Sequence, residues 1–293
     1  MDERTWLAER FEENRPHLRA VAYRMLGSLS DADDAVQEAW QRLSRADTSA
    51  VENLGGWLTT VVARVSLNML RSREHRREQP LDVRVPDPIV SPEAGVDPEH
   101  EAVLADSVGL AMLVVLDTLT PAERLAFVLH DMFAVPYEEI GAMVDRSPVA
   151  ARQLASRARR RVQGRAPVPD PDLGRQREVV DAFFAAAREG DFEELVAILD
   201  PNVVLRADGG EERNRPTVTL RGARSVAENA SGAAKLGRYV RPALVNGAAG
   251  AVVVVNERLF AVMGFTVTDG RIAAIDLLYD PRRLAGLDLT VLG

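Results

Sequence analysis

Six arginines and no acidic residue lie between Arg152 and Arg165, which makes this short stretch strongly basic. Guanidinium groups form paired hydrogen bonds with phosphate oxygens and with the edge of guanine, so the stretch is suited to binding DNA. The alternative is a solvated basic helix end that only complements the helix dipole. The residues that we expect to contact DNA are Ser147, Arg152, Gln153, Ser156, Arg157 and Arg160.

Two helix-start signals position this arginine-rich stretch. Thr120 is followed by Pro121 and Glu123, which is a capping box with proline at the first helical position. Ser147, again followed by proline, starts the arginine-rich helix in the same way. Since a short helix over 137–144 lies between the two signals, the pattern predicts a helix-turn-helix whose last helix reads DNA.

The chain as a whole is acidic although this stretch is basic. It has 293 residues, of which 36 are basic and 44 acidic, and a formal net charge of −8. Because neutralisation of phosphates drives non-specific DNA affinity, we expect the chain to bind naked DNA poorly and to need a larger partner. This length predicts about two or three compact units, and the 46% of hydrophobic residues is enough to build their cores.

Several classes of protein are excluded by composition. The chain has no cysteine, so disulfides, zinc fingers and thiol chemistry are ruled out. Its charged N-terminus is not a secretion signal, and no apolar run approaches the roughly 20 residues that cross a bilayer. We expect a cytoplasmic protein with no cofactor, no metal site and no membrane partner.

A second candidate DNA-binding stripe lies nearer the N-terminus. Asn68 shares one helical face with arginines, opposite apolar residues that repeat at steps of three and four. An asparagine flanked by arginines can meet bases and phosphates together, whereas a surface helix with ordinary ion pairs is the alternative. The residues of this stripe and of the arginine run after it are Arg64, Asn68, Arg71, Arg73, Arg76 and Arg77.

The helix before that stripe is acidic. Ser30 is its expected N-cap, and Val36, Trp40 and Leu43 face the core. The outer face of this helix is polar and mostly acidic, and it is either simply solvated or docks on a basic partner surface. The residues of its first turn and outer face are Asp31, Asp33, Asp34, Gln37, Glu38 and Gln41.

These motifs resemble those of the extracytoplasmic-function (ECF) RNA polymerase sigma factors. Region two of that family is similar to DADDAVQEAW (31–40), GWLTTVVAR (56–64) and NMLRSR (68–73), and region four to LTPAER (119–124), YEEIG (137–141) and ARQLASRARRR (151–161). At Leu154 the family often has arginine, and the Arg-Gln-Leu form resembles a subgroup with an extra C-terminal domain.

The resemblance implies initiation of transcription by bacterial RNA polymerase. The acidic helix would dock on core RNA polymerase, and the Asn68 stripe would bind the melted minus-ten element of promoter DNA. The arginine-rich helix would enter the major groove at the minus-thirty-five element.

Repeated prolines divide the chain. Those between Pro80 and Pro98 stand among acidic residues and indicate an extended linker, which lacks the Trp-Leu-Pro-Glu-Pro motif of the subgroup. A second set, from Pro167 to Pro171, marks another boundary. The predicted domains are region two at residues 1–80, the acidic linker at 81–104, region four at 105–165 and a C-terminal domain at 174–293.

The C-terminal domain has helices first and then strands, which predicts an α+β arrangement with a curled antiparallel sheet. Asp269 and Gly270 form its expected tight hairpin turn. Its opening resembles the SnoaL-like cone fold. The predicted fold class is therefore two all-α domains, the second a helix-turn-helix, followed by a SnoaL-like α+β domain.

This domain is expected to modulate the other two, either by binding a small-molecule ligand or by bracing them. The subgroup resemblance implies a regulatory loop of Asp208, Gly209, Gly210 and Arg213. Enzymatic activity would need a perturbed carboxylate such as Asp181, Asp208 or Asp276. Since no second catalytic group stands at a fixed spacing from them, and all four histidines precede the domain, we expect no enzyme.

The predicted function is a sigma factor that binds core RNA polymerase and directs promoter-specific transcription initiation. A ligand-responsive helix-turn-helix regulator that does not dock on polymerase is the main alternative, but it leaves the acidic helix and the Asn68 stripe unexplained. An enzyme fused to a DNA-binding domain is a third possibility.

Overall fold

The structure is a computed structural model that describes residues 3–46, 51, 53–76, 84–92, 109–163, 167–210 and 216–287. The chain forms two compact units. Unit 1 consists of Met1–Pro80 and Val115–Arg165, and unit 2 of Leu81–Val114 and Ala166–Gly293. Among the described residues, every helix is too short or too polar to cross a bilayer.

Three helices form the first half of unit 1: α1 (Glu3–Leu26), α2 (Leu29–Leu43) and α3 (Leu54–Arg76). Their apolar stripes face one another, and Leu18, Val36 and Leu58 are almost fully buried between them. Burial of these stripes, rather than helix propensity, supplies most of the stability of such helices.

The N-cap of α2 corrects one prediction. Ser28 rather than Ser30 caps the helix, and its hydroxyl accepts a hydrogen bond from the Asp31 backbone N–H at 3.4 Å. The reason is that Gly27 adopts a left-handed φ of 65°, which ends α1 abruptly. Ser28 is then the first extended residue, and extended backbone is the conformation of an N-cap.

Further helices follow in the order α4 (Leu110–Asp117), α5 (Pro121–Phe127), a π-helix (Val128–Met132), α6 (Tyr137–Met143) and α7 (Pro148–Val162). The predicted capping box of α5 is confirmed, since Thr120 and Glu123 satisfy each other's backbone N–H groups. Residues 101–108, which precede α4, lie outside the described part of the chain.

Unit 2 begins with β1 (Val90–Ser91) and continues after the second proline cluster. Its helices are α8 (Leu173–Glu189), α9 (Phe192–Ile198), α10 (Ala223–Gly232) and α11 (Pro281–Leu284), with a 3-10 turn at Ala234–Tyr239. Its other strands are β2 (Leu199–Asp208), β3 (Val218–Arg221), β4 (Val240–Val245), β5 (Ala248–Val255), β6 (Arg258–Thr268) and β7 (Arg271–Leu278).

The strands form one sheet in the order β1-β4-β5-β6-β7-β2-β3. The sheet is mixed, because β2 and β7 pair in parallel, so the prediction of an antiparallel sheet was wrong at this position. Adjacent antiparallel strands can be joined by a short hairpin, whereas parallel strands need a long crossover. Here β3 to β6 supply that crossover. The predicted hairpin turn between β6 and β7 is confirmed, with Asp269 and Gly270 both at positive φ.

The core of unit 2 lies between the sheet and helices α8 to α10. Phe183, Phe184 and Phe265 meet edge to face there, with ring centroids 5.6–5.7 Å apart. These aromatic contacts form part of the core that lies between α8 and the sheet.

Candidate nucleic-acid interface

The turn that sets α7 against α6 is tight. Gly141 permits it, because a Cβ at this position would lie 2.7 Å from the carbonyl oxygen of Arg146. Asp145 adopts a φ of 55° in the turn itself. The Ser147 hydroxyl then accepts the Ala150 backbone N–H at 3.2 Å, so the predicted N-cap is confirmed. The glycine, the turn residue and the serine cap together therefore fix the angle at which the arginine-rich helix leaves the turn.

Helix α7 has two distinct faces. Leu154, Ala158 and Val162 are buried against the rest of unit 1, and two further alanines of the helix are buried with them. Every residue predicted to meet DNA from this helix is exposed and lies on the opposite face: Arg152, Gln153, Ser156, Arg157 and Arg160. Ser147 is exposed too, but its hydroxyl is used by the cap.

Other arginines of α7 hold the helix in place. Arg159 donates to Asp131 at 2.5 Å and to the Tyr137 hydroxyl at 2.9 Å, and its hydrogen bond to Asp131 raises the pKa of Arg159. Arg161 donates to Glu123 at 2.8 Å. Charge-assisted bonds of this kind restrict the rotation of the helix. The outward arginines therefore project from a fixed support.

Arg152 is positioned by an aromatic stack. Its guanidinium carbon lies 5.4 Å from the ring centroid of Tyr137, within the range of a cation–π interaction. The ring of His130 stacks on Tyr137 with centroids 3.8 Å apart. This stack was not predicted, because its members come from the π-helix and from α6 as well as from α7.

The predicted stripe on α3 is also exposed, but part of it is already engaged. Arg64, Asn68 and Arg71 are exposed on one face, opposite buried apolar residues. Arg64 donates to the backbone carbonyl of Ala142 at 2.9 Å, and Arg73 donates to the carboxylate of Asp31. These contacts occupy cationic groups that we expect to meet phosphates.

The last two members of the predicted stripe are described less fully. Arg76 ends α3, and its side chain lies outside the described part of the structure, as does the whole of Arg77.

The acidic face of α2 is formed as a continuous surface. Its exposed members are Asp33, Asp34, Gln37, Glu38 and Gln41, while Asp31 is half-buried against Arg73. A shallow groove of about 340 Å³ runs along this face. Two exposed ion pairs, Arg19 with Asp33 and Arg42 with Glu38, partly neutralise it. Exposed pairs are weak, so a basic partner could replace them.

In unit 2, the predicted regulatory loop is a hydrogen-bonding centre. Asp208 is 5% exposed, and its carboxylate accepts bonds from the Val85 backbone N–H at 3.0 Å and from Arg283 at 2.7 Å. Gly210 adopts a φ of 75°, and a Cβ there would collide with the Asp280 carboxylate. Gly209 lies between them, whereas Arg213 is outside the described residues.

Residues of the predicted linker bind at this centre. Asp87 accepts bonds from Arg283, whose Nη2 also donates to the Val85 carbonyl at 2.5 Å. Val90 then pairs with Val245, so β1 adds an edge to the sheet. Sequence reasoning missed Asp87 and Arg283; their only signal was a Pro-Asp-Pro in the linker and a Pro-Arg-Arg near the C-terminus.

Of the three carboxylates considered as catalytic groups, Asp276 is the most deeply buried. Burial raises the pKa of Asp276, which is 1% exposed, and Arg206 binds it at 2.9 Å and opposes that rise. Asp181 is exposed on α8, and Asp208 is held by Arg283. A buried carboxylate bound to an arginine is most simply a structural ion pair.

Comparison with known proteins places these elements in families. Residues 10–76 match the family "Sigma-70 region 2", and residues 110–162 match "Sigma-70, region 4". The two matches contain α3 with the Asn68 stripe and α7 with its outward arginines.

Two curated relatives from Mycobacterium tuberculosis are similar over nearly the whole chain. The ECF RNA polymerase sigma factor SigJ is 38% identical over 295 residues, which cover 95% of this chain and 93% of SigJ. The probable ECF RNA polymerase sigma factor SigI is 34% identical over 277 residues and covers 92% of each chain.

A solved structure agrees with the architecture. The crystal structure of M. tuberculosis SigJ superposes with a TM-score of 0.77 at 36% identity, covering 97% of this chain and all of that one. The predicted order of helical domains followed by an α+β domain is confirmed.

Proposed function

The chain belongs to the extracytoplasmic-function RNA polymerase sigma factors, and we propose that three exposed faces of unit 1 carry out its steps of promoter-specific initiation. One observation carries the proposal. An acidic face on α2, an Asn/Arg stripe on α3 and an arginine-bearing face on α7 are all directed away from their own cores. No single one of these faces requires a sigma factor, but polymerase docking and two promoter contacts account for all three.

The α2 face is the proposed polymerase-docking surface. Its apolar side is buried, so the outward residues Asp34, Gln37 and Glu38 are fixed in a row without taking part in the core. A row of acids and amides on a rigid helix complements a basic surface and adds specificity through charge. The short ion pair at Glu38 is exposed and can exchange for a partner's cation.

The α3 stripe is proposed to bind the minus-ten element. Asn68 offers a donor and an acceptor to a base edge, and the arginines beside it suit the backbone phosphates. Arg64 must first leave the Ala142 carbonyl, and Arg73 must leave Asp31. DNA phosphates can replace both partners, because a phosphate oxygen accepts hydrogen bonds from a guanidinium group as a carbonyl or carboxylate oxygen does.

The α7 face is proposed to read the minus-thirty-five element. The N-terminal residues of a recognition helix reach the base edges, so Arg152 and Gln153 are placed to read guanine or adenine. Arg157 and Arg160 lie further along the same face and are suited to phosphates. The fixed support by Arg159 and Arg161 reduces the ordering cost of these contacts.

The two promoter contacts also imply a change of shape. Elements named for positions −10 and −35 are about 25 base pairs apart, or about 85 Å at about 3.4 Å per base pair. In the structure, α3 and the end of α6 are joined by a hydrogen bond within one compact unit. We therefore propose that the two halves of unit 1, which are α1–α3 and α5–α7, separate when the protein binds polymerase and promoter.

The C-terminal domain is proposed to modulate this separation through the linker. Val85 and Asp87 of the linker are buried and are held by Asp208 and Arg283. While these contacts last, less of the linker is free to span the distance between the two halves of unit 1. A small-molecule ligand is the other way in which the domain could act. The pocket beside α8, lined by Arg177 and Phe184, has only about 10 Å³, and we favour the linker.

The alternative of a polymerase-independent DNA-binding regulator is not favoured. It uses only the α7 face, and the relatives that span the chain are sigma factors.

A run-off transcription assay with core RNA polymerase and a library of random promoters tests the proposed function. The expected result is a set of discrete transcripts that share two sequence boxes and that require this protein. Tight binding to a promoter box without core polymerase, together with no transcripts in its presence, would contradict the proposal.

A further inference from the structure

One apolar side chain lies on the DNA-reading face of α7. Val149, the second residue of the helix, is 67% exposed. A single exposed valine on a protein surface is ordinary and needs no explanation. What distinguishes Val149 is its position on the helix and the residues that surround it.

Val149 continues the outward stripe of the recognition helix toward its N-terminus. Arg152, Gln153 and Ser156 lie three, four and seven positions after it, which is the spacing of one helical face. Side chains of a helix lean toward its N-terminus, and the first turn of a recognition helix penetrates furthest into the groove. The valine therefore precedes Arg152 on the part of the helix that meets base edges.

The chemistry of valine limits what it can recognise. It has no donor or acceptor, so it cannot read the polar atoms of a base. In the major groove, the apolar group that distinguishes one base from the others is the C5-methyl of thymine. A β-branched side chain in a helix has one strongly preferred rotamer, so little freedom is lost when it makes such a contact.

Resting on the function proposed above, we propose that Val149 determines specificity for a thymine in the minus-thirty-five element through contact with its 5-methyl group. That thymine neighbours the base read by Arg152 or Gln153. The guanidinium of Arg152 is held over Tyr137, so the apolar and polar contacts are offered from one fixed surface.

Replacement of thymine by deoxyuridine tests this directly, because it removes the methyl group alone and leaves base pairing intact. A set of promoters is made from one unmodified parent promoter, each with deoxyuridine in place of a different thymine of the minus-thirty-five element. Core RNA polymerase with the full-length protein then transcribes each of them. With the wild type, we expect about a fourfold loss at one position, which is what burial of one methyl-sized group is worth.

The variant Val149→Ala should transcribe the parent promoter about fourfold less well and should be indifferent to deoxyuridine at that position. The control is Val168→Ala, which changes a valine that is 77% exposed but lies outside α7. This control should keep both the parent activity and the wild-type deoxyuridine penalty.

The two proposals fail in different ways. If the wild type transcribes the parent promoter but tolerates deoxyuridine at every thymine, the assignment of Val149 is wrong and the sigma function stands. The assignment is equally wrong if Val149→Ala keeps the wild-type deoxyuridine penalty. If the wild type directs no promoter-specific transcript, both proposals are overturned.

Discussion

Helices α3 and α7 both carry arginines that are predicted to meet DNA, but they hold them differently. On α7, Arg159 and Arg161 bind acidic residues of unit 1, while Arg157, which is predicted to meet DNA, makes a longer ion pair with Glu123 at 3.6 Å. On α3, the predicted DNA-binding residues themselves are engaged: Arg64 by the Ala142 carbonyl and Arg73 by Asp31. If both faces bind DNA as proposed, α7 gives up the long ion pair of Arg157, whereas α3 must exchange the closer contacts of Arg64 and Arg73 within the chain for contacts with DNA.

This difference follows from what each helix packs against. Helix α7 is the last element of its half of unit 1, and its arginines close back on α5 and the π-helix. Helix α3 lies between the two halves and contacts both. A duplex major groove can be read by a preformed helix, but a melted strand becomes available only after polymerase has bound. Engagement of α3 in the free protein agrees with that order.

The largest effect is expected from the double substitution Asn68→Ala with Arg71→Ala on α3. Each lost base or phosphate contact is worth about 1–3 kcal/mol, so promoter-specific transcription should fall at least about thirtyfold. Both side chains are exposed, so the fold should survive. Run-off transcription measures the loss, and a pull-down with core RNA polymerase should show unchanged docking. Normal transcription by this variant would show that the α3 stripe does not contact promoter DNA, so the comparison with α7 would no longer hold.

A smaller effect is expected at Phe133, which links the two halves of unit 1. The guanidinium carbon of Arg24 in α1 lies 4.6 Å from its ring centroid, and the His17 ring is nearly perpendicular to it with centroids 5.2 Å apart. Phe133→Ala removes this link without touching a predicted DNA-binding residue. If closure opposes polymerase binding, affinity for core RNA polymerase should rise about three- to tenfold.

Fluorescence titration of labelled core polymerase measures this change, with Met132→Ala as the neighbouring half-buried control. Unchanged or weaker binding by Phe133→Ala would show that the contact between the halves does not restrain α3.

The smallest effect separates two arginines that are adjacent in α7. Arg160→Ala should reduce the salt dependence of the holoenzyme–promoter complex by about 0.9 in the logarithmic slope, as expected for one lost phosphate contact. Arg159→Ala should leave that slope unchanged and instead lower the thermal stability of the protein, since Arg159 binds Asp131 and Tyr137. Equal salt slopes for the two variants would mean that Arg159 and Arg160 do not differ in their contact with DNA phosphates, contrary to the proposal that one holds the helix and the other binds DNA.

Local signals were predicted well from the sequence. Thr120 and Glu123 form their capping box, Ser147 caps α7, and Asp269 with Gly270 makes the hairpin turn. Each of these depends on residues within four positions of one another, so the chain itself specifies them. The exposed stripe of α7 follows from the same local order, because a fixed helix start sets which residues face outward.

Contacts between distant segments could not be predicted in this way. Asp31 and Arg73 were assigned to two different partners, yet they bind each other. Strand β1 has two residues and β4 contains a proline, so neither has a strand pattern of its own. Asp87, Asp208 and Arg283 come together from three parts of unit 2.

The amino-acid sequence by itself determined the helices, the caps of α5 and α7 and the outward placement of the residues predicted to meet DNA, because these follow from periodicity and from hydrogen bonds between near neighbours. Only the tertiary structure decided which of those cationic groups support a helix and which are engaged across the two halves of unit 1. The physical reason is that a guanidinium group binds any carboxylate or carbonyl oxygen within reach, and long-range packing decides which oxygens come within reach.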